Sequence, residues 1–182
     1  LRSVNVGGHG RLAMADLQAA FGGLGFADTQ TYLASGNVLF TADHEVEEAD
    51  LERRAGTILG VTVTIMLRSR SELRDVMRAN PFPTADARTL HVGFLSRTAS
   101  VRAADLDALQ ADLGRFPPER SVMAPPHVYF HLPHGMGRAK LPERVERRVG
   151  PMTVRSWRTV HALAGAEAPS PGGADFPHLE EQ

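Results

Sequence analysis

One order of elements, strand–helix–strand–strand–helix–strand, reads twice along these 182 residues, and few folds satisfy a chain that repeats it. In the first pass, residues 1–6 read as the end of a strand, and Met14, Leu17, Phe21 and Leu24 follow at helical spacing. Residues 29–33 and 37–41 are two short strands across Ala34-Ser35-Gly36, a hairpin signal in which Gly36 is free to take a positive φ. An acidic stretch from Asp43 to Glu52 then opens a helix with a stripe of Leu51, Ala55, Ile58 and Leu59, and residues 61–67 alternate as a strand.

The second pass follows a linking helix over residues 70–79, opened by the capping-box pair Ser69 and Glu72 and stopped by Asn80-Pro81. Residues 90–95 alternate as a strand, and Leu106, Leu109 and Leu113 form a helical stripe. Residues 121–124 and 127–132 form a second hairpin across Pro125-Pro126. Leu141, Val145 and Val149 mark another helix, residues 152–155 a closing strand, and residues 157–164 a short terminal helix.

That order is the split β-α-β, or ferredoxin-like, motif. The expected fold is α+β: a first ferredoxin-like half over residues 1–68, a linking helix and loop over 69–88, a second half with the terminal helix over 89–164, and a disordered C-terminal tail over 165–182. Each half is expected to hold a four-stranded antiparallel sheet. The motif leaves one sheet face bare, so the two halves should pack into one compact body. Val128, Phe130 and Leu132 need that cover, as do their opposite numbers Val38 and Phe40.

Composition narrows the function more by exclusion than by pointing. A net charge of −1 does not mark the whole chain as a nucleic-acid or membrane binder. Zero cysteines exclude disulfides, thiolate nucleophiles and thiolate metal sites. No apolar run approaches the ~20 residues that span a bilayer, and no signal segment is visible. A reducing cytoplasm is the expected setting, with no membrane partner and no cofactor. The histidines offer no metal site: His127 and His131 would stand ~13 Å apart on one strand, and no third ligand is spaced to join His131 and His134.

Three glycine-containing turns are the candidate binding elements. Asn5-Val6-Gly7-Gly8-His9-Gly10-Arg11 joins a strand to a helix, where exposed N–H groups make an anion site. Tyr32-Leu33-Ala34-Ser35-Gly36-Asn37 reads on its own as a hairpin turn. Gly135-Met136-Gly137-Arg138-Ala139-Lys140-Leu141 again lies between strand and helix, and holds the chain's only lysine among 20 basic residues. Residues 138–158 carry seven basic side chains (138, 140, 144, 147, 148, 155 and 158) against Glu143 and Glu146, the strongest basic patch in the chain. Lys140 is expected to serve as a charge donor, not as a salt-bridge partner, because arginine would pair equally well. Trp157 is by default a core anchor; the sharper alternative is a stacking platform beside the patch.

Taken together, Asn5-Val6-Gly7-Gly8, Thr31-Tyr32, Ser35-Gly36-Asn37-Val38, Asn80-Pro81-Phe82, Gly135-x-Gly137, Lys140-Leu141 and Trp157-x-Thr159-Val160 fall in the order of a bacterial family. The chain resembles, over about residues 1–164, the domain-of-unknown-function family numbered 1697. The resemblance implies two ferredoxin-like halves and supplies no activity. The family pattern has glycine at position 3, glutamine at 34, serine at 139, and asparagine at 156 and 158. This chain has Ser3, Ala34, Ala139, Ser156 and Arg158 instead, which removes side-chain hydrogen-bonding groups from the loops and adds a guanidinium.

The reading these residues favour is a protein that binds an anionic or phosphorylated small molecule, or a nucleic-acid end. The expected ligand-binding residues are Arg2, Asn5, Gly7, Gly8, Ser35, Gly36, Asn37, Gly137, Arg138, Lys140, Trp157, Arg158 and Thr159. The first and third glycine loops should then lie close in space. An enzyme of phosphoryl or acyl transfer or hydrolysis using the same loops is the alternative, with His9 as its single titratable loop residue. A protein–protein interaction module is the third.

Overall fold

The computed structural model describes residues 1–2, 12–97, 99, 101 and 116–165. It is a mixed α+β protein with two antiparallel sheets among the described residues. Asn5, Gly7, Gly8, the Leu106–Leu113 stripe and the tail from residue 166 onward lie outside the described residues, and so does the spacing of the first and third glycine loops.

Helix α1 (Met14–Gly23) buries Leu17, Ala20 and Phe21. Strands β1 (Ala27–Tyr32) and β2 (Asn37–Thr41) pair antiparallel as a two-stranded sheet. Helix α2 (Glu48–Leu59) buries Leu51 and Ala55 and ends on Gly60 at φ 66°, a left-handed turn that suits glycine. Ile58, expected in its buried stripe, is 50% exposed in the last turn of the helix, although it shares the line of Leu51 and Ala55.

The segment 61–67, read as a strand, is not one. A strand needs a neighbouring backbone, and this segment takes carboxylates instead: Ile65 N–H donates to Glu52 Oε1 at 2.7 Å and Leu67 N–H to Glu48 Oε1 at 2.7 Å. Among the described residues, its one backbone bond across is Arg2 N–H to Thr64 O at 2.9 Å. The first half therefore shows two strands, not four, among the described residues.

Helix α3 (Arg70–Arg78) starts with both arms of the Ser69/Glu72 capping box in place. Strands β3 (Leu90–Leu95), β4 (Arg120–Ala124), β5 (His127–His131) and β6 (Met152–Ser156) form a four-stranded antiparallel sheet in the order β4-β5-β3-β6. Helix α4 (Leu141–Val149) lies between β5 and β6, and α5 (Trp157–Gly165) follows β6. One face of this sheet packs Leu95, Val128, Phe130 and Met152 on Leu141, Val145 and Val149 of α4. The other packs Val92, Phe94 and Tyr129 on α3 and α5, where Tyr129 also donates to Val76 O at 2.8 Å. A third core holds the first half together around Leu17, Phe21, Phe26, Leu51 and Ile65. Among the described residues no helix is long and apolar enough to cross a membrane.

Candidate functional site

The candidate residues gather in two places. The first is the turn between β1 and β2, where it meets β6. Gly36 takes φ 76° there, and Leu33, with a side chain 58% exposed, takes φ 58°. Asn37 is buried and closes the turn from within, its Nδ2 donating to Tyr32 O and Ser35 Oγ, both at 3.0 Å. Arg155 reaches across from β6. Its Nε donates to Asn37 Oδ1 at 2.6 Å, and one terminal nitrogen donates to both Leu1 O and Ser35 O at 2.9 Å. Burial pushes this guanidinium below the usual arginine range. It keeps its charge, and three uncharged oxygens of the first half accept its hydrogen bonds in place of water. Ser35, Gly36 and Asn37 thus act here as a clasp between the halves.

Arg2, expected to supply charge to a ligand, is engaged by Glu146 of α4, with Nε at 3.0 Å and a terminal nitrogen at 2.6 Å from Glu146 Oε1. The same oxygen accepts from Met152 N–H at 3.3 Å. Charge complementarity within the chain takes this cation away from any anion site.

The second place is the start of α4. Residues Met136–Arg138 form a single 3-10 turn, and Lys140 is the residue that caps the helix. The N–H groups of Lys140 and Leu141 point outward, as the first amides of a helix do. They hold an anion, and that anion belongs to the protein: Glu119 Oε2 lies 3.1 Å from Lys140 N and 2.8 Å from Leu141 N. Arg138, Lys140 and Arg158 are exposed and, among the described residues, form no ion pair. Glu143, the neighbour that could have paired with Lys140, pairs with Arg147 at 3.4 Å instead.

Trp157 is half-buried against the core formed by α3, β3 and α5, its default role. Thr159 is buried, with its N–H donating to Ser156 Oγ at 3.3 Å, so the Trp157-x-Thr159 motif serves as the start of α5. Ser156 does the capping that an asparagine at that position would also do.

Sequence reasoning missed a third feature, a cleft of about 620 Å3 between the halves. Its walls are residues 37–42 and 65–70, and Leu73 of α3, with Phe94 and Leu163 of the second half, closes it. At its edge, Glu48 is buried and gathers Arg68, Ser96 Oγ and the N–H groups of Leu67 and Arg97. Arg68 carries the junction onward to Leu95 O at 2.6 Å and Pro126 O at 2.9 Å. Burial lowers its pKa, while Glu48 and Glu72 act to raise it. No short motif announces this cluster, since hydrogen-bonded partners within it lie up to 58 residues apart.

The family model described as "Protein of unknown function (DUF1697)" matches residues 1–129. Among solved structures, the conserved bacterial protein SP0830 from Streptococcus pneumoniae is similar with a TM-score of 0.65 and 19% identity, over 90% of this chain and 93% of that one. At that identity the likeness speaks for the fold alone. No curated protein matches the sequence.

Proposed function

Since the chain belongs to the DUF1697 family, whose description carries no activity, we propose its role from its own geometry: it binds an anionic or phosphorylated partner, a small molecule or a nucleic-acid end, at the start of α4. The observation that carries this reading is the Glu119 carboxylate on the N–H groups of Lys140 and Leu141. Amides that donate to a carboxylate in that position suit a phosphate oxygen equally. The exposed cations Arg138, Lys140 and Arg158 add charge without a competing acid, and Glu119 is the placeholder that an incoming anion displaces. Arg2, Ser35 and Asn37 are committed within the protein and drop out of the ligand set. The scaffold in this reading is a pair of ferredoxin-like halves, supported in the second half by the strand order β4-β5-β3-β6.

Titration with inorganic phosphate and with a nucleoside monophosphate tests it. Glu119→Gln keeps the shape of the side chain and removes its charge, so it should tighten binding several-fold, and Lys140→Ala should weaken it. Helix-end charge effects of ~0.3–1 kcal/mol set that scale. If Glu119→Gln binds no better than the parent chain, the loop is a capped helix start and nothing more.

A further inference from the structure

His131, the last residue of β5, holds an imidazole nitrogen stranded in the core: its Nδ1 is buried and has no hydrogen-bond partner. Buried polar atoms are as a rule satisfied, so this one needs a reason. A proton on Nδ1 would be a donor shut away from any acceptor, which places the ring's N–H on Nε2. The residue is only half-buried, and Nε2 makes no hydrogen bond among the described residues, so this N–H faces open space.

Two other donors stand beside it. Arg120 is the direct partner of His131 across the β4–β5 pair, on the same face of the sheet, where such Cβ atoms lie ~5 Å apart. Its guanidinium lies over the Phe82 ring, with Cζ 5.2 Å from the centroid, and the His131 ring lies 5.8 Å from the same centroid. Phe82 is buried against the core of α3, β3 and α5, which gives both side chains a fixed floor. The loop that brings it there is Asn80-Pro81-Phe82, a motif that the start of α4 does not use. Asn80 Oδ1 accepts from Phe82 N–H at 3.0 Å, and the amide nitrogen of Asn80 makes no hydrogen bond among the described residues.

No carboxylate answers these donors: Arg120 forms no ion pair among the described residues. The acids near in sequence are engaged elsewhere. Glu119 is held by the N–H groups of Lys140 and Leu141, Asp75 by Arg78 and Asp86 by Arg88.

We infer that Arg120, His131 and Asn80 form a second binding site, a seat for a small oxyanion of carboxylate or phosphate chemistry. It lies on the face of the sheet away from α4, since His131 pairs with Leu90 on the side that packs on α3 and α5. One oxygen of the ion takes the Nε2–H of His131, and the fork of Arg120 takes the others. The ring of Phe82 under the guanidinium limits its motion, so less freedom is lost when the ion binds. The orphan Nδ1 then has its reason: the packing that buries it also fixes the direction of the opposite N–H.

The test follows the ring nitrogens of His131 by NMR while sodium phosphate or sodium acetate replaces sodium chloride, at constant pH and ionic strength. The proton should be found on Nε2. The His131 signals should move to saturation with one or both ions, whereas those of His134, exposed and three residues on, should not. Saturation by either ion upholds the site, and the difference between them names its chemistry. Arg120→Gln should weaken the response about tenfold, the scale of one hydrogen bond to a charged group, and Arg120→Lys should recover part of it. Arg120 is exposed, so both variants should keep the parent thermal midpoint, measured alongside. Lys140→Ala should leave the His131 response unchanged, so failure of phosphate binding at the start of α4 is a separate result. A proton on Nδ1, no saturation with either ion, or an undiminished response in Arg120→Gln would overturn the inference.

Discussion

Phe40 on β2 and Phe130 on β5 hold equivalent positions in two hairpins, yet Phe130 is fully buried and Phe40 only half so. The residues are identical and the local alternation is the same. What differs is the neighbour on the far edge. β5 has β3 beside it and α4 across its face, while β2 opens onto the cleft. Packing in the second half is so close that a Cβ on Gly93 of β3 would stand 2.7 Å from Met152 Sδ and 3.1 Å from Phe130. Hydrophobic pattern says which side of a strand wants cover; whether it is covered depends on a strand far off in sequence.

The largest test of that contrast is a pair of truncations followed by chemical denaturation. Phe130→Ala should cost about 3–5 kcal/mol, the range for emptying a sealed core site. Phe40→Ala should cost roughly half as much, because its ring already meets the cleft and loses less buried area. Equal losses would break the contrast, and a rise in the Phe40 value in a chain with the cleft filled would sharpen it.

A smaller effect is expected where the halves are clasped. Arg155→Ala leaves Leu1 O, Ser35 O and Asn37 Oδ1 without their donor, at a cost of about 1–3 kcal/mol, since Leu1 O and Asn37 Oδ1 are part-buried and a stranded acceptor loses more than the net value of its bond. Arg155→Lys should recover only part, because one ammonium cannot span three oxygens that a planar fork reaches. Full recovery in the thermal midpoint would show that charge alone joins the halves.

The smallest concerns acid. Burial lowers the pKa of His91, and burial aided by Arg68 lowers that of His127, both in the second half. Each is neutral when folded and binds a proton more readily when unfolded. Their contribution is therefore complete above the unfolded value of about 6.5 and is lost as pH falls through the lowered folded values. Between pH 7.5 and 5, amide exchange should rise first around β3 and β5, and His127→Gln should reduce that rise. Exchange that rises first around α1 and α2 would point to another cause.

Much of the second half was legible because its elements carry their own instructions: alternation in β3 and β5, the Ser69/Glu72 box, and Pro142 in the first turn of α4. The site was less legible, for a physical reason. Arg2 looks like a free cation until folding sets Glu146 against it, and Arg155 counts as one charge in a basic patch until β6 is laid beside the turn at Ser35–Asn37. Glu119 follows two prolines and shows no link to Lys140, 21 residues on. Segment 61–67 alternates well, but alternation describes side chains, and its amides found Glu48 and Glu52.

The Arg155 clasp also bears on the order of synthesis. Ser35 O meets its donor 120 residues later in the chain, and Leu1 O waits 154. A ribosome delivers the first half long before that guanidinium exists, so the first hairpin emerges with its turn unlatched and the open edge of β2 exposed. Contacts closed over such separations are slow to form, and the surfaces they will cover stay bare in the meantime. The half made first is therefore the half finished last.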